Sequence, residues 1–159
     1  MITPSWLITL SAATLDLTYD CFLGMAAAGA LVDALVGHPS LGWLGIRCKD
    51  ATADERIAYG AALAVLIAAD APALHGLDCS SNHLGDTGLE PIVEALPLNR
   101  HLRTLMCHGN GMSEAFAREQ LLPAVRANTT LRALHCVDNE QPMSGAEAEE
   151  IVRRRGQHD

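Results

Sequence analysis

Three stretches of this chain begin alike, and their spacing limits the fold more than any other feature. "LHGLDCSSNHL" starts at residue 74, "LRTLMCHGNGM" at 102 and "LRALHCVDN" at 131. Aligned on the first leucine, Leu77, Leu105 and Leu134 share offset 3, Cys79, Cys107 and Cys136 offset 5, and Asn82, Asn110 and Asn139 offset 8. Two earlier units follow the pattern more loosely. One carries Leu41, Leu44 and Ile46, with Lys49 in the asparagine position; the other carries Ala12, Leu15 and Leu17, with Asp20 there. The starts at 12, 41, 74, 102 and 131 are separated by 29, 33, 28 and 29 residues. A fixed period of this length signals stacked supersecondary units, each unable to bury its apolar face alone.

Within a unit, offsets 3 and 5 alternate with small or polar residues, the period of a short strand with one buried face. Apolar spacing of helical type follows: Leu31 and Leu35; Leu63, Leu66 and Ile67; Leu89, Ile92, Val93 and Leu96; Leu121, Leu122 and Val125. Thr87 with Glu90 and Ser144 with Glu147 fit capping boxes. Pro91 suits a first helical turn, whereas Pro123 predicts a kink or a shortened helix. Turn residues "GHPS", "DAPA", "PLNR" and "ANTT" lead back to the next strand. A helix supplies the long crossover that parallel strands require. The second unit holds the long interval and a charged insert, "KDATADERIAYG" at 49–60, which predicts the most irregular part of the array.

The pattern L-x-x-L-x-L/C-x-x-N-x-L at a period near 28 resembles the leucine-rich repeat of ribonuclease-inhibitor-like type, over roughly residues 12–155. That resemblance implies an α/β right-handed solenoid, a horseshoe of about five repeats with parallel strands on the concave face and helices on the convex face. It implies that Asn82, Asn110 and Asn139 form a ladder of side-chain bonds to the turns, broken where Lys49 stands. The whole of 1–159 reads as one domain, with 1–11, including Trp6, as an N-terminal cover and 141–159 as a C-terminal helix and tail. In the tail, "VRRR" at 152–155 suits the negative end of the last helix.

Charge narrows the partners. The net charge is −8, and the first 46 residues hold Asp16, Asp20 and Asp33 but no Lys or Arg. Nucleic acid and anionic membrane, which select for basic surfaces, are not expected. The longest apolar run, 61–69, is half the ~18 residues of a span. Five cysteines make an odd number with no dense framework, which points to a reducing intracellular compartment such as the cytoplasm. The alanine- and leucine-rich phrasing, "ANTTLRAL" for example, also resembles repeats in bacterial effectors and trypanosomatid proteins, so a translocated effector is a second setting.

Several residues invite chemistry. Cys79, His83, Cys107, His108, His135 and Cys136 suggest zinc, but alternation sends the cysteines inward and His108 and His135 outward, so no metal and no cofactor is expected. Offset 6 aligns Thr18, Arg47, Ser80, His108 and Val137, which places Ser80 beside His108 and near Asp78. A hydrolase of that kind lacks a strained elbow or oxyanion hole in the sequence. A family branch that activates a nuclear-transport GTPase carries a long acidic tail that is absent here. The expected function is therefore non-catalytic: binding of a protein or peptide on the concave face, through Asp16, Trp43, Arg47, Asp78, Met106, His108 and His135. Trp43 is expected as an exposed indole with open space over Gly45 and Gly76, and Arg47 as either a contact residue or one neutralised by Asp16 and Asp78.

Overall fold

The computed structural model describes residues 14–18, 24–48, 51–137 and 143–157. Asp20, Lys49, Asn139 and the cover expected at 1–11 lie outside them. The described chain alternates strand and helix: β1 (Thr14–Leu17), α1 (Met25–Leu35), β2 (Trp43–Ile46), α2 (Ala53–Ala68), β3 (Gly76–Asp78), α3 (Gly85–Ala95) and a 3-10 turn (Leu96–Leu98). It continues with β4 (Thr104–Met106), α4 (Glu114–Phe116), a π turn (Ala117–Leu121), α5 (Leu122–Ala127), β5 (Ala133–His135) and α6 (Met143–Gly156). The five strands form one parallel sheet in chain order, β1-β2-β3-β4-β5.

The register joins residues of equal offset. Thr14 pairs with Trp43, Trp43 with Gly76, Gly76 with Thr104 and Thr104 with Ala133. The next row is Leu15, Leu44, Leu77, Leu105 and Leu134, and the third Asp16, Gly45, Asp78, Met106 and His135. The leucines of the second row, together with Ile46, Cys79, Cys107 and Cys136, enter a core completed by helical residues such as Val32, Leu63, Ile92, Val125 and Val152. α2 and α3 approach most closely at two glycines: a Cβ on Gly60 would overlap the carbonyl oxygen of Gly88. No helix of the described residues is long and apolar enough to cross a membrane.

Of the insert at 49–60, the described part, 51–60, is not an irregular loop. From Ala53 onward it is the start of α2, closed by a capping box in which the Thr52 hydroxyl accepts from the Glu55 N–H and the Glu55 carboxylate accepts from the Thr52 N–H. α2 has 16 residues where α1 and α3 have 11, so the long interval is absorbed as extra helical turns, with Tyr59 and Gly60 buried. The expected boxes at Thr87 and Ser144 do not form. Leu84 precedes α3, and its N–H donates instead to Asn110 Oδ1 at 3.3 Å, while the Ser144 hydroxyl donates to Glu114 at 2.6 Å. Pro91 lies inside α3, past its first turn. Pro123 sits at the start of α5 directly after the π turn, where the widened ladder accommodates the missing N–H.

The asparagine ladder exists where it is described. The Asn110 amide donates to the carbonyls of Cys107 (2.8 Å) and Cys79 (3.1 Å), and its oxygen accepts from the N–H groups of Asn82 (3.1 Å) and Leu84 (3.3 Å). Asn82 reaches back in the same way to the Ile46 carbonyl (2.9 Å) and the Cys48 N–H (2.7 Å), so the second turn is stitched from its successor. A second ladder, not expected from the sequence, runs along the returns to the strands. Buried Asn99 donates to the Ile67 carbonyl and accepts from the Leu102 N–H. Buried Asn128 donates to Leu96 and accepts from Leu131. Arg155 takes the next step, donating to the carbonyls of Asn128 (2.6 Å) and Val125 (3.0 Å). The arginine run thus splits: Arg155 serves the end of α5, while Arg153 and Arg154 pair with Glu150.

In the preceding return Ala71 holds this place, and Asp70 just before it is in a left-handed conformation (φ 50°). It accepts from the Arg100 N–H (2.7 Å) and contacts His101 Nδ1 (3.0 Å).

Two outcomes follow from these ladders. Asn110→Ala leaves several buried backbone groups without partners, at roughly 1–3 kcal/mol each, so chemical denaturation should show a loss of about 3 kcal/mol or more. At Asp70, the Arg100 N–H, helped by His101, holds the carboxyl below its usual range. A depressed folded pKa means the contribution is fully present above the ordinary aspartate pKa and is lost as pH falls through the depressed value. The stability gap between wild type and Asp70→Asn should therefore be widest at neutral pH and close in acid, as measured by denaturation at stepped pH; asparagine also tolerates the positive φ.

Candidate functional site

The face of the sheet opposite the helices carries offsets 2, 4 and 6. Its rows are set by the strand register, and its relief is set by glycine. Trp43 is half-buried, and its indole lies flat over Gly76, where any Cβ would overlap the ring. The open space expected around Trp43 is therefore filled by the indole itself. The space over Gly45 is likewise taken, by the side chains of Asp16 and Thr18, each 3.0 Å from where a Cβ would stand. Asp16 is exposed and accepts from the Thr18 N–H (3.0 Å) and hydroxyl (2.6 Å).

At the carboxyl ends of the strands the offset-6 column frames a depression of about 280 Å³, lined by Thr18, Arg47, Asp78, Ser80, Ser81, Met106 and His108. Arg47 is exposed, and among the described residues no carboxylate pairs with it, so Asp16 and Asp78 do not neutralise it through contact. Asp78 is instead engaged locally, accepting from the Ser80 N–H at 2.9 Å. Met106 and His108 are half-buried. Of the seven residues expected to form the site, four (Arg47, Asp78, Met106 and His108) share this depression. Asp16 shares the row of Asp78 and Met106 but stands on β1, outside the lining; Trp43 lies at the amino ends of the strands, and exposed His135 lines a different cleft beside α6. Ser81 was not anticipated. It is in a left-handed conformation (φ 57°) just beyond β3, where strand alternation no longer says which way a residue points.

Ser80 and His108 do meet, with Oγ 3.0 Å from Nδ1 across adjacent strands. The acid of the trio is on the wrong partner for a relay. Asp78 binds the serine's own backbone, so the imidazole has no carboxylate to fix its tautomer. Cys79, Cys107 and Cys136 point the opposite way, into the core. Among the described residues no three potential ligands converge on a metal position. Burial pushes the Cys79 thiol up to about 12, which leaves it unreactive near neutral pH.

No protein-family model matches the chain, and no curated protein matches it in sequence. Among solved structures it is similar to Leiomodin-1 Actin-Binding Site 2, with a TM-score of 0.72 and 15% identity, covering 99% of this chain and 93% of that one. That likeness concerns the fold, and it is compatible with a leucine-rich-repeat type. The ordered parallel sheet with intervening helices agrees with it.

The orientation of the thiols is open to direct measurement. Cys48 is half-buried and Cys79, Cys107 and Cys136 are buried. Under native conditions a thiol reagent should, among these four, label Cys48 first and the other three slowly, their rates rising together on unfolding, as mass mapping of labelled peptides would show. Rapid native labelling of all three would contradict the inward column.

Proposed function

We propose that the chain is a non-catalytic protein-binding module of ribonuclease-inhibitor-like leucine-rich repeats. In this reading the array is a right-handed solenoid, and the sheet face is its concave binding surface. The observation that carries the proposal is the pairing, on one face, of an indole already seated on a glycine floor with an arginine that has no acidic partner among the described residues. Tryptophan and arginine dominate interface energies when a partner desolvates them. An indole held by packing on Gly76 loses little freedom on binding, which favours affinity. Asp16, Asp78, Met106, His108 and His135 surround these two with polar and soft contacts.

The five-strand width, at ~5 Å per strand, suits a peptide, a loop or a single helix. The net charge of −8 favours a partner with basic groups over nucleic acid or an anionic membrane. The similar region of leiomodin-1 is an actin-binding site, and this supports a protein partner in general. An odd count of five cysteines fits a reducing intracellular setting, whether native to the cell or reached as an effector. The Ser80–His108 contact sustains the second reading, a weak hydrolase. An activity that survives purification and is abolished by Ser80→Ala would favour it.

The test is affinity capture from the native host followed by titration with the recovered partner. Trp43→Ala should weaken binding by about 2 kcal/mol or more with the fold retained, and Arg47→Ala should weaken it and reduce its salt dependence. Unchanged affinity in both variants, with loss of binding from substitutions on α2 or α3, would move the interface to the helices and overturn the proposal.

A further inference from the structure

Ser81, just beyond β3, holds a φ of 57°, in the left-handed region that is costly for residues other than glycine. The next unit has Gly109 at the same offset, with a φ of 68°. Glycine would take the same turn with less strain. What serine adds is a hydroxyl, and among the described residues that hydroxyl has no hydrogen-bond partner. Its place is nevertheless fixed. The Ser81 N–H donates to the His108 carbonyl (2.8 Å), and the hydroxyl fills space left by Gly109, 2.7 Å from where a Cβ would stand. From there Ser81 lines the depression of about 280 Å³ at the carboxyl ends of the strands.

The other groups of that depression also offer more bonds than the fold uses. Arg47 is exposed and has no carboxylate contact among the described residues. Ser80 Oγ and His108 Nδ1 share one proton at 3.0 Å. If serine gives it, the neutral imidazole keeps a proton on Nε2; if imidazole gives it, the serine hydroxyl keeps its own. Either way one proton of the pair is left for a ligand. Asp78 supplies the opposite charge. It accepts from the Ser80 N–H (2.9 Å), and its carboxylate has further lone pairs to offer. Asp16, the other acid of this face, is turned to the Thr18 N–H and hydroxyl. The complement of this arrangement is a single anionic acceptor group with an N–H donor beside it.

We propose that the depression holds the carboxyl-terminal residue of a peptide chain. The α-carboxylate accepts from Arg47, from the Ser81 hydroxyl and from the Ser80–His108 pair, and the backbone N–H of the same residue donates to Asp78. Its side chain lies against the Met106 thioether. This assignment rests on the reading of the sheet face as a peptide-binding surface and names the part of the peptide that is held there. Charge selects the chain end over other anions. Arg47 and Asp78 balance each other, so one added negative charge suits the site only if the same ligand also satisfies Asp78. A phosphate dianion would set two charges against Asp78 and offer it no N–H. An acidic side chain carries its carboxylate away from its own backbone N–H. Capture of a chain terminus by convergent donors is a recurring mode of peptide recognition.

N-acetylalanine carries both groups in one small probe. Titrated into the isotope-labelled full chain at constant ionic strength, it should move the NMR signals of the Arg47 side-chain N–H, the Ser81 N–H and the His108 ring. The dissociation constant should be on the order of 10 mM, in the range a fragment of this size reaches. N-acetylalanine amide, which lacks the charge, and propionate, which stands for an acidic side chain and lacks the N–H, should each bind at least fivefold more weakly. Ser81→Gly should weaken N-acetylalanine at least fivefold with the thermal midpoint nearly unchanged, since glycine already serves at position 109. Arg47→Gln should weaken it at least tenfold. Propionate or inorganic phosphate binding as tightly as N-acetylalanine would assign the depression to acidic or phosphorylated side chains and overturn the proposal. So would equal binding of the amide, unchanged affinity in Ser81→Gly, or no movement of these signals up to about 100 mM. The probe needs no partner, so each of these failures is read separately from the Trp43→Ala titration, which tests the face as a whole.

Discussion

A parallel strand that turns into a helix leaves buried backbone groups at each bend, and the rest of this structure depends on how they find partners. Asparagine suits the position because one side chain offers two donors and an acceptor with two lone pairs. Asn110 uses all of them, one donor within its own turn and the other donor and both lone pairs on the turn before it. Asn99 and Asn128 repeat this logic where the chain leaves the helix. A third set of links joins the helix starts: Asp86 accepts from the Ser113 N–H and hydroxyl, and Glu114 accepts from those of Ser144. The third and fourth units are thus bonded to each other at three bends as well as through the sheet and the core. Stability of this kind is a sum over neighbours.

That arrangement explains which parts of the fold could be read from the sequence. Strand register was legible because equal offsets carry equal residue types, and the observed pairing joins those offsets from Leu15 to Leu134. Helix starts were not. The signature of a capping box assumes that a helix satisfies its own first N–H groups, but α3 receives Asn110 from the next unit and α6 ties Ser144 to Glu114. α2, whose box is local, has the signature at Thr52 and Glu55, inside the segment that its length and charge had marked as irregular. The second ladder was visible only as two asparagines three residues before Leu102 and Leu131. The position is held by different chemistry elsewhere, as Arg155 shows, and so the pattern in the sequence is faint.

The candidate site divides along similar lines. The contact between Ser80 and His108 follows from period and alternation alone, since the two share an offset on adjacent strands. What each side chain does there depends on groups outside the column. Asp78 turns to the Ser80 N–H, and Asp16 to Thr18. Both are short acidic side chains that fold onto backbone two residues ahead, an Asx-type turn. Arg47 is left without a carboxylate contact for this reason, although two aspartates lie on the same face. The placement of Trp43 depends on Gly76, a residue of its neighbouring strand, and a sequence read one unit at a time gives no sign of it.

The same bonding pattern continues, with other residues, at the last described strand. Where both turns are described, a unit is served by the one that follows it: Asn82 serves the second turn and Asn110 the third. Among the described strands β5 is last in the sheet, and α6 meets its backbone. Glu149 accepts from the N–H groups of Cys136 and Val137, and Gly156 lies against the Arg132 carbonyl. A glutamate thus takes over, at the end of β5, the service to backbone N–H groups that a following unit's asparagine gives elsewhere in the array.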